Sequence, residues 1–519
     1  MPEPAADGVR RVEIVGALSL AADLGMGQPL EQGLRGCLVA QRLARVVGLD
    51  AAGAAATAAL ALLRFIGCTA DSHTGAVFFD DEIEARTVTT PLIYARPREA
   101  MGAMVGIIRG DSVLRRTATS LALAATGVQR FRAGARAHCE VAELLAGRLG
   151  FEDDARRGLD HVFERWDGQG FPHRARGEEI ELTARIVHVA YDAAAEHRAT
   201  GRAGVIAMAR ERSGRGYDPR LVDALCADLE TCLGDLDVPS VWEAVLASAG
   251  DWNWDGDLCG HALDDALEVM ADFADLKSSY TPGHSRAVAR RAGRAAAGLG
   301  LPAEDVVTAQ RAGLVHDLGR AGVSVHVWDK PGPLTLDEQE RARLHAYYTE
   351  RVLAPVKSLT AVARIASLHH ERLDGSGYHR GTTSAGLPSG ARVLAAADAY
   401  QAMTEARAHR PALPAVGARA ALRAEARAGR LDADAVSAVL EERGSGRRDP
   451  DRSPGLSARE VEVLRLLARG CTTRQIARAL GITVKTADSH VQHIYTKAGV
   501  STRAAATLYA IQRGLLPAL

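Results

Sequence analysis

Between positions 284 and 398 the chain carries His284, the pair His316–Asp317 in LVHDLGRAG, His345 in RLHAYY, the pair His369–His370 in LHHERLDGSGY, and Asp398 in LAAADAYQAMT. Their neighbours are apolar, and a buried imidazole or carboxylate is unfavourable unless something neutralises it and bonds it. Two divalent transition-metal ions do both, with imidazole nitrogens and one shared carboxylate as ligands. Asp317, beside His316, is the natural bridge, since it can offer one oxygen to each ion. Ions about 3.5–4 Å apart generate a hydroxide and clamp the oxygens of a phosphoryl group. Iron or manganese suits such mixed nitrogen and oxygen ligands.

Helices must position this set. Segments such as EQGLRGCLVAQRLARVVGL and HSRAVARRAGRAAAGLGL place apolar residues three and four apart among good helix formers. Alternating β patterns are rare, so the expected fold class is all-α. The turn DGSG at 374–377 has a twin, DGQG at 167–170, and the two halves fall into register around them. Gln32 to Arg64 spans 32 residues, as does His284 to His316; His138 to Val162 spans 24, as does His345 to His369; Phe163 to Tyr191 spans 28, as does His370 to Asp398. The seven ligand positions thus fall on Gln32, Arg64, Phe65, His138, Val162, Phe163 and Tyr191, and only His138 keeps its type. The first copy is longer between Arg64 and His138, 74 residues against 29. Phe, Val and Tyr cannot hold two cations; they can hold a core. Two roles fit this copy: a packing scaffold that dimerises or supports its twin, or a sensor of a ligand or partner.

The segment 270–412 resembles the HD-GYP family, metal-dependent phosphohydrolases of the HD superfamily that typically hydrolyse cyclic di-GMP. The likeness rests on HD before a glycine turn, a later His, then HHE, DGSGY and AD before a helix. It implies that His284, His316, Asp317, His345, His369, His370 and Asp398 are the metal ligands, with Asp317 and Arg320 the catalytic residues. Tyr378 belongs to the GYP segment, and Arg407 and Arg410 stand where the family binds substrate phosphates. The chain departs from the pattern at several places. His379 replaces the proline of GYP. Arg320 replaces a lysine, and Gln401 an acid, of a pair near the scissile phosphate. Arg320 can bond a phosphate but keeps its proton, which makes it a poor donor to a leaving oxygen. Tyr280 stands where members with three metals carry glutamate, which points to two ions.

The last 64 residues, 456–519, carry nine Lys/Arg against three acids in a chain whose formal net charge is −1. They resemble the LuxR-type helix-turn-helix over nearly their whole length: LSAREVEVL, then TTRQIARALG, then KTADSHV. The resemblance implies a recognition helix from about Val484 to Ala498 lying in the major groove of double-stranded DNA. Lys485, Thr486, His490, His493 and Lys497 are candidates for phosphate or base contact, and Asp488, Ser489 and Gln492 for base reading. Asp488 can accept from cytosine N4 but repels phosphate.

The chain of 519 residues is near neutral overall, which excludes a nucleic-acid coat or basic tail. Its seven cysteines form no CxxC pair, which suits a reducing cytoplasm and buried thiols. No apolar run reaches the length of a membrane span. The expected organisation is a first HD-type copy without metal ligands at 10–235, an HD-GYP-like domain at 262–440, a Gly/Ser/Pro linker at 441–455 and a DNA-binding domain at 456–519. DWNWDGD, at 251–257, begins like a calcium loop but reaches Ala262 where the closing ligand belongs, and is read as a turn. The expected function is a cytoplasmic, homodimeric transcription regulator that hydrolyses or senses a cyclic dinucleotide. The rival is a regulator without enzymatic activity, whose HD-type domains bind ligand or dimerise.

Overall fold

A computed structural model of the chain describes residues 8–76, 78–108, 113–234, 236–441 and 455–516. The expected all-α architecture is found. Among the described residues the only sheet is a two-residue antiparallel pair, Val9–Arg10 with Asp257–Leu258. Most of the expected linker, 442–454, lies outside the described residues. No helix is long and apolar enough to cross a membrane among those described. Cys37, Cys68, Cys139 and Cys232 are buried as expected, whereas Cys259 is exposed.

The chain divides into two units on either side of Leu263. In the first, helix Gln32–Val46 packs against Ala51–Leu63 and Leu182–Arg212. In the second, helix His284–Gly298 packs against Ala303–Val315 and Ser389–Thr404. These are the same pairings in the register read from the sequence.

A skeleton of polar contacts repeats with them. Glu31 and Gly283, at φ 72° and 82°, take left-handed backbone before the first helix of each set. That helix leaves N–H groups without intrahelical partners. Asp23 accepts from Gly33 N at 3.1 Å, and Asp275 from Ser285 N at 3.0 Å. Glu164 accepts from His173 N and Arg174 N (2.6 and 3.1 Å); Glu371 accepts from Arg380 N and Thr382 N (3.2 and 2.9 Å). The glycines match too. A Cβ on Gly67 would lie 2.1 Å from the His138 carbonyl oxygen, and one on Gly319 would lie 2.1 Å from that of His345.

The first unit differs from its twin in two places. The extra residues after Arg64 form helices Ser72–Ala76, Glu82–Thr89 and Pro97–Ile107, then enter the long helix Val113–Arg148 that delivers His138. Phe78, Phe79, Ala85, Ile108 and Leu123 make a core of their own there. The segment 236–261, expected as a break between domains, instead closes the first unit. Asp255 bonds the Arg10 side chain at 2.6 Å and Val12 N at 3.0 Å, and Trp254 Nε1 donates to Ala55 O at 2.9 Å. The Asp255 carboxylate therefore ties down the chain's first strand.

Gly67→Ala and Gly319→Ala should each lower the stability of their own unit by about 3 kcal/mol or more, because backbone must move to admit the methyl group. Gly250→Ala, which meets open space, is the control. Urea unfolding followed by hydrogen exchange in each unit measures the difference, and losses equal to the control would disprove the close approach.

Candidate metal centre and nucleic-acid interface

Three imidazoles of the second unit are oriented by their own helices. Nδ1 of His316 donates to Gly313 O at 2.9 Å, that of His345 to Ala342 O at 2.5 Å, and that of His369 to Ala366 O at 2.6 Å. A nitrogen facing a carbonyl must carry hydrogen, so in each neutral ring Nε2 holds the lone pair. Burial lowers the pKa of His345, and with the neighbouring His316 and His345 brings that of His369 down to about 3. The His345 and His369 rings are thus neutral, with lone pairs directed inward. Nε2 of His316 is buried without a partner. Nε2 of His345 and of His369 lie 3.1 Å apart, where two lone pairs repel unless a cation stands between them.

Asp317 sits in the middle. Its Oδ1 lies 3.4 Å from His345 Nε2 and 3.8 Å from His369 Nε2. Its Oδ2 lies 3.6 Å from His316 Nε2 and 3.9 Å from His284 Nε2. Each carboxylate oxygen therefore faces a different pair of imidazoles. Burial would raise this carboxyl, but His316, Arg320, His345 and His284 hold it well below its ordinary value.

His284, at the start of its helix, gives Nδ1–H to Glu405 Oε2 at 2.8 Å and turns Nε2 toward Asp398 Oδ1 at 3.2 Å. A proton or a metal ion must separate that nitrogen from that carboxylate. Burial alone would lower the pKa of His284, yet Glu405 and Asp398 raise it to about 10. His370 is half-buried, its Nδ1 3.9 Å from Asp398 Oδ2. Three donor groups result: His284, His316 and Asp398; His316, Asp317 and His369; and His345, His369 and His370, with ligand atoms in each within 4.8 Å of one another. All seven residues read from the sequence as ligands converge here, and their lone pairs and carboxylates fit divalent cations.

The residues expected near substrate divide into two sets. The Tyr378 ring lies 4.2 Å from that of His370, tilted by 32°. Arg320 donates to Asp317 Oδ2 at 3.1 Å and lies 3.9 Å over the Trp328 ring. Arg407 donates to Glu405 at 3.0 Å, beside the centre. Arg410 is engaged elsewhere, its guanidinium bonded to the carbonyls of Ala402, Met403, Glu405 and Pro411, where it shapes the loop after the last ligand helix. Gln401, in place of the family's acid, donates to Glu405 Oε1 at 2.8 Å. Glu405 is thus the buried carboxylate that the sequence reading passed over. The available signal was its position directly after the helix that carries Asp398, seven residues past Asp398 and four past Gln401.

In the last 64 residues, helices Ala458–Ala468, Thr473–Leu480, Val484–Ala498 and Arg503–Gln512 pack around Val463, Leu464, Ile476, Ala487, Val491 and Ile494. Gly481, at φ 64°, ends the second helix, and Thr483 caps the third. Lys485, Thr486, Asp488, Ser489, Gln492 and His493 are exposed along that helix, and His490 is half-buried. Lys497 differs from them. Its ammonium bonds both oxygens of buried Glu460, at 2.9 and 2.7 Å, and so braces the helix against the first of the four.

Metal and charge variants test both sites. Asp317→Ala should lose most bound metal, and Glu405→Gln should weaken retention against a chelator about 10- to 100-fold by loosening His284. Elemental analysis after dialysis reads both, and wild-type retention by E405Q would leave Glu405 without a role at the centre. In the other site burial would raise Glu460, but Lys497 and the Ser457 N–H bring it from 4.5 down to about 2. Its ionised form therefore stabilises the fold above pH 4.5, and that contribution disappears as pH falls toward about 2. Glu460→Gln should lower the unfolding midpoint of this domain at pH 7, with the gap closing in acid. It should also release Lys497, steepening the salt dependence of DNA binding by about one counterion. A pH-independent gap would refute the ion pair.

Comparison with known proteins agrees with this geometry. The HD domain family matches residues 128–221 and 268–435, and bacterial regulatory proteins of the luxR family match 454–510. The chain is 28% identical over 420 residues to 3′3′-cGAMP-specific phosphodiesterase 3 of Vibrio cholerae, covering 78% of this chain and 88% of that protein. It is 33% identical over 154 residues to a cyclic di-GMP phosphodiesterase of Thermotoga maritima, covering 29% of this chain and 42% of that one. The crystal structure of a cyclic GMP-AMP-specific phosphodiesterase from V. cholerae shares the fold, with a TM-score of 0.55 and 23% identity over 83% of this chain and 97% of that one. The chain belongs to the HD domain family, its second copy bearing the HD-GYP motif set, and carries a LuxR-family domain at its C-terminal end.

Proposed function

We propose that the protein is a DNA-binding transcription regulator whose second HD-type domain hydrolyses a cyclic dinucleotide with two divalent metal ions. One observation carries the reading: three tautomer-fixed imidazoles direct Nε2 lone pairs toward the two oxygens of Asp317. The ions, iron or manganese, would supply a hydroxide nucleophile and charge stabilisation to a phosphoryl group. His284, His316 and Asp398 would hold one and His345, His369 and His370 the other, with Asp317 shared. Glu405 keeps His284 in the tautomer that presents Nε2 inward. Arg320, held by Asp317 and the Trp328 face, offers its charge to a phosphate oxygen and withholds its proton. Arg407 adds a second positive charge at the edge of the centre, and Tyr378 a ring for a base or ribose. Relatives named for 3′3′-cGAMP and for cyclic di-GMP support the substrate class.

The domain reading belongs to the same proposal: a first copy within 10–235 that carries no ligands, a hydrolase domain within 262–440 and a DNA reader at 456–519. LuxR-type readers bind near-palindromic sites as dimers, so the tandem helical domains are assigned to dimerisation, in the cytoplasm where the DNA lies. Lys485, Thr486, Asp488, Ser489, His490, Gln492 and His493 form the DNA-facing surface. Lys497 supports it from behind.

A second reading is favoured by Gln401 and Arg320: the centre binds a cyclic dinucleotide and turns it over negligibly. Turnover of bis-p-nitrophenyl phosphate, cyclic di-GMP and 3′3′-cGAMP by the metal-loaded chain separates the two. The enzyme reading expects linear products, reduced to background by Asp317→Ala, and a higher rate with unchanged metal content in the double variant Arg320→Lys, Gln401→Asp. Binding without turnover in both wild type and double variant would establish the second reading.

A further inference from the structure

The first copy places an arginine where the second has the histidine of its HD pair. Arg64 is 1% exposed. Its guanidinium lies against the rings of Tyr191, Phe65 and Tyr94, at 4.5, 4.7 and 5.5 Å from their centroids. Nη2 donates to the Tyr94 hydroxyl at 3.1 Å, whereas Nε and Nη1 have no acceptor. Of the nearby carboxylates, Asp192 feels the charge of Arg64 but bonds Arg212 at 2.6 Å and the Tyr217 hydroxyl at 2.5 Å. Burial pushes the Asp23 carboxyl, which accepts from Gly33 N, toward its neutral form. A guanidinium cannot shed its proton, and a buried charge without a counter-ion is destabilising by several kcal/mol. The aromatic faces recover only part of this.

Two neighbours share the deficit. The Tyr191 hydroxyl is buried without a partner, and so is Gln32 Oε1, whose amide nitrogen donates to Tyr191 O at 3.1 Å. Gln32, Arg64 and Tyr191 hold the register of His284, His316 and Asp398, whose ligand atoms meet within 4.8 Å. The first copy has therefore exchanged a place for a metal ion for a fixed organic cation with unmet donors and one unmet acceptor.

We propose that this position binds phosphate. Arg64 Nε and Nη1 and the Tyr191 hydroxyl donate to its oxygens, and the P–OH of the monohydrogen ion donates to Gln32 Oε1. That last bond selects the ligand class, because sulfate and chloride have no proton to give. The source is free phosphate or the terminal phosphate of a nucleotide monoester in its singly protonated form, which presents the same P–OH. The site acts as a phosphoryl sensor independent of the metal centre in the second unit.

Hydrogen exchange on the full chain, with inorganic phosphate against sulfate at equal ionic strength, tests it. Phosphate should slow exchange in 32–46, 51–63 and 182–198, and sulfate should not. Arg64→Met should abolish that protection. Tyr191→Phe, which keeps the ring and removes one donor, should raise the phosphate concentration for half-protection about tenfold, and it serves should Arg64→Met fail to fold. Phosphate held at the metal centre protects 284–298 equally in all three proteins, which keeps the two sites apart. A parallel arm with 5′-GMP distinguishes the sources: protection there means a nucleotide phosphate enters, and its absence beside a phosphate response means a free ion. Equal protection by sulfate, no protection in the first copy, or wild-type behaviour of both variants would overturn the proposal.

Discussion

Each of three imidazoles gives its Nδ1 proton to a carbonyl three residues earlier in its own segment, and the centre depends on that geometry. A histidine elsewhere can choose which nitrogen carries hydrogen. Here the backbone decides, and the lone pairs face inward before any ligand arrives. Asp317 then becomes the point where two sets of donors meet, because only a carboxylate offers separate oxygens to both. The charge of Arg320 and the hydrogen bond that His284 gives to Glu405 act on a centre whose orientation is already fixed.

The twin units show how little of the fold depends on that chemistry. Asp23 and Asp275 satisfy the same helix start, Glu164 and Glu371 the same loop, Gly67 and Gly319 the same close approach. What changed is the inward face. Phe65 takes the place of the bridging aspartate and packs 5.3 Å from the Tyr191 ring and 6.0 Å from His138. Aromatic rings packed around the Arg64 guanidinium stand where the second copy has its donor set, while the polar skeleton around them persists.

Much of this was legible in the sequence because the relevant signals are local or periodic. The seven candidate ligands occur in short motifs, and the register followed from equal intervals around two DGxG turns. The all-α class followed from spacing alone. Other features depend on contacts between residues far apart in the chain. Glu405 looks like a surface acid at a helix end until the fold brings His284 to it, 121 residues away in sequence. Arg410 reads as a phosphate clamp from its place after the last ligand, and only the loop's path shows its guanidinium turned onto carbonyls. Lys497 sits on the exposed stripe of the helix that the LuxR likeness assigns to DNA, and its pairing with Glu460 needs the tertiary packing of two helices. The stretch 236–261 looks like a boundary because its Gly, Asp and Trp residues break the helical period. The Asp255–Arg10 pair that makes it part of the first unit spans 245 positions.

The approach of Gly319 to the His345 carbonyl has a bearing on which ions the centre accepts. The turn after Asp317 and the helix carrying His345 touch backbone to backbone, with no side chain between them to yield. The separation of the two ligand groups is thereby set by main-chain packing, which deforms far less readily than a rotamer. Calcium, whose bonds to oxygen run to about 2.3–2.6 Å and which takes six to eight oxygens, would need those turns to part and would find imidazoles where it wants carbonyls. An imidazole-rich donor set suits smaller ions that accept nitrogen. Main-chain contact between Gly319 and His345 therefore limits how far the turn and the helix can part.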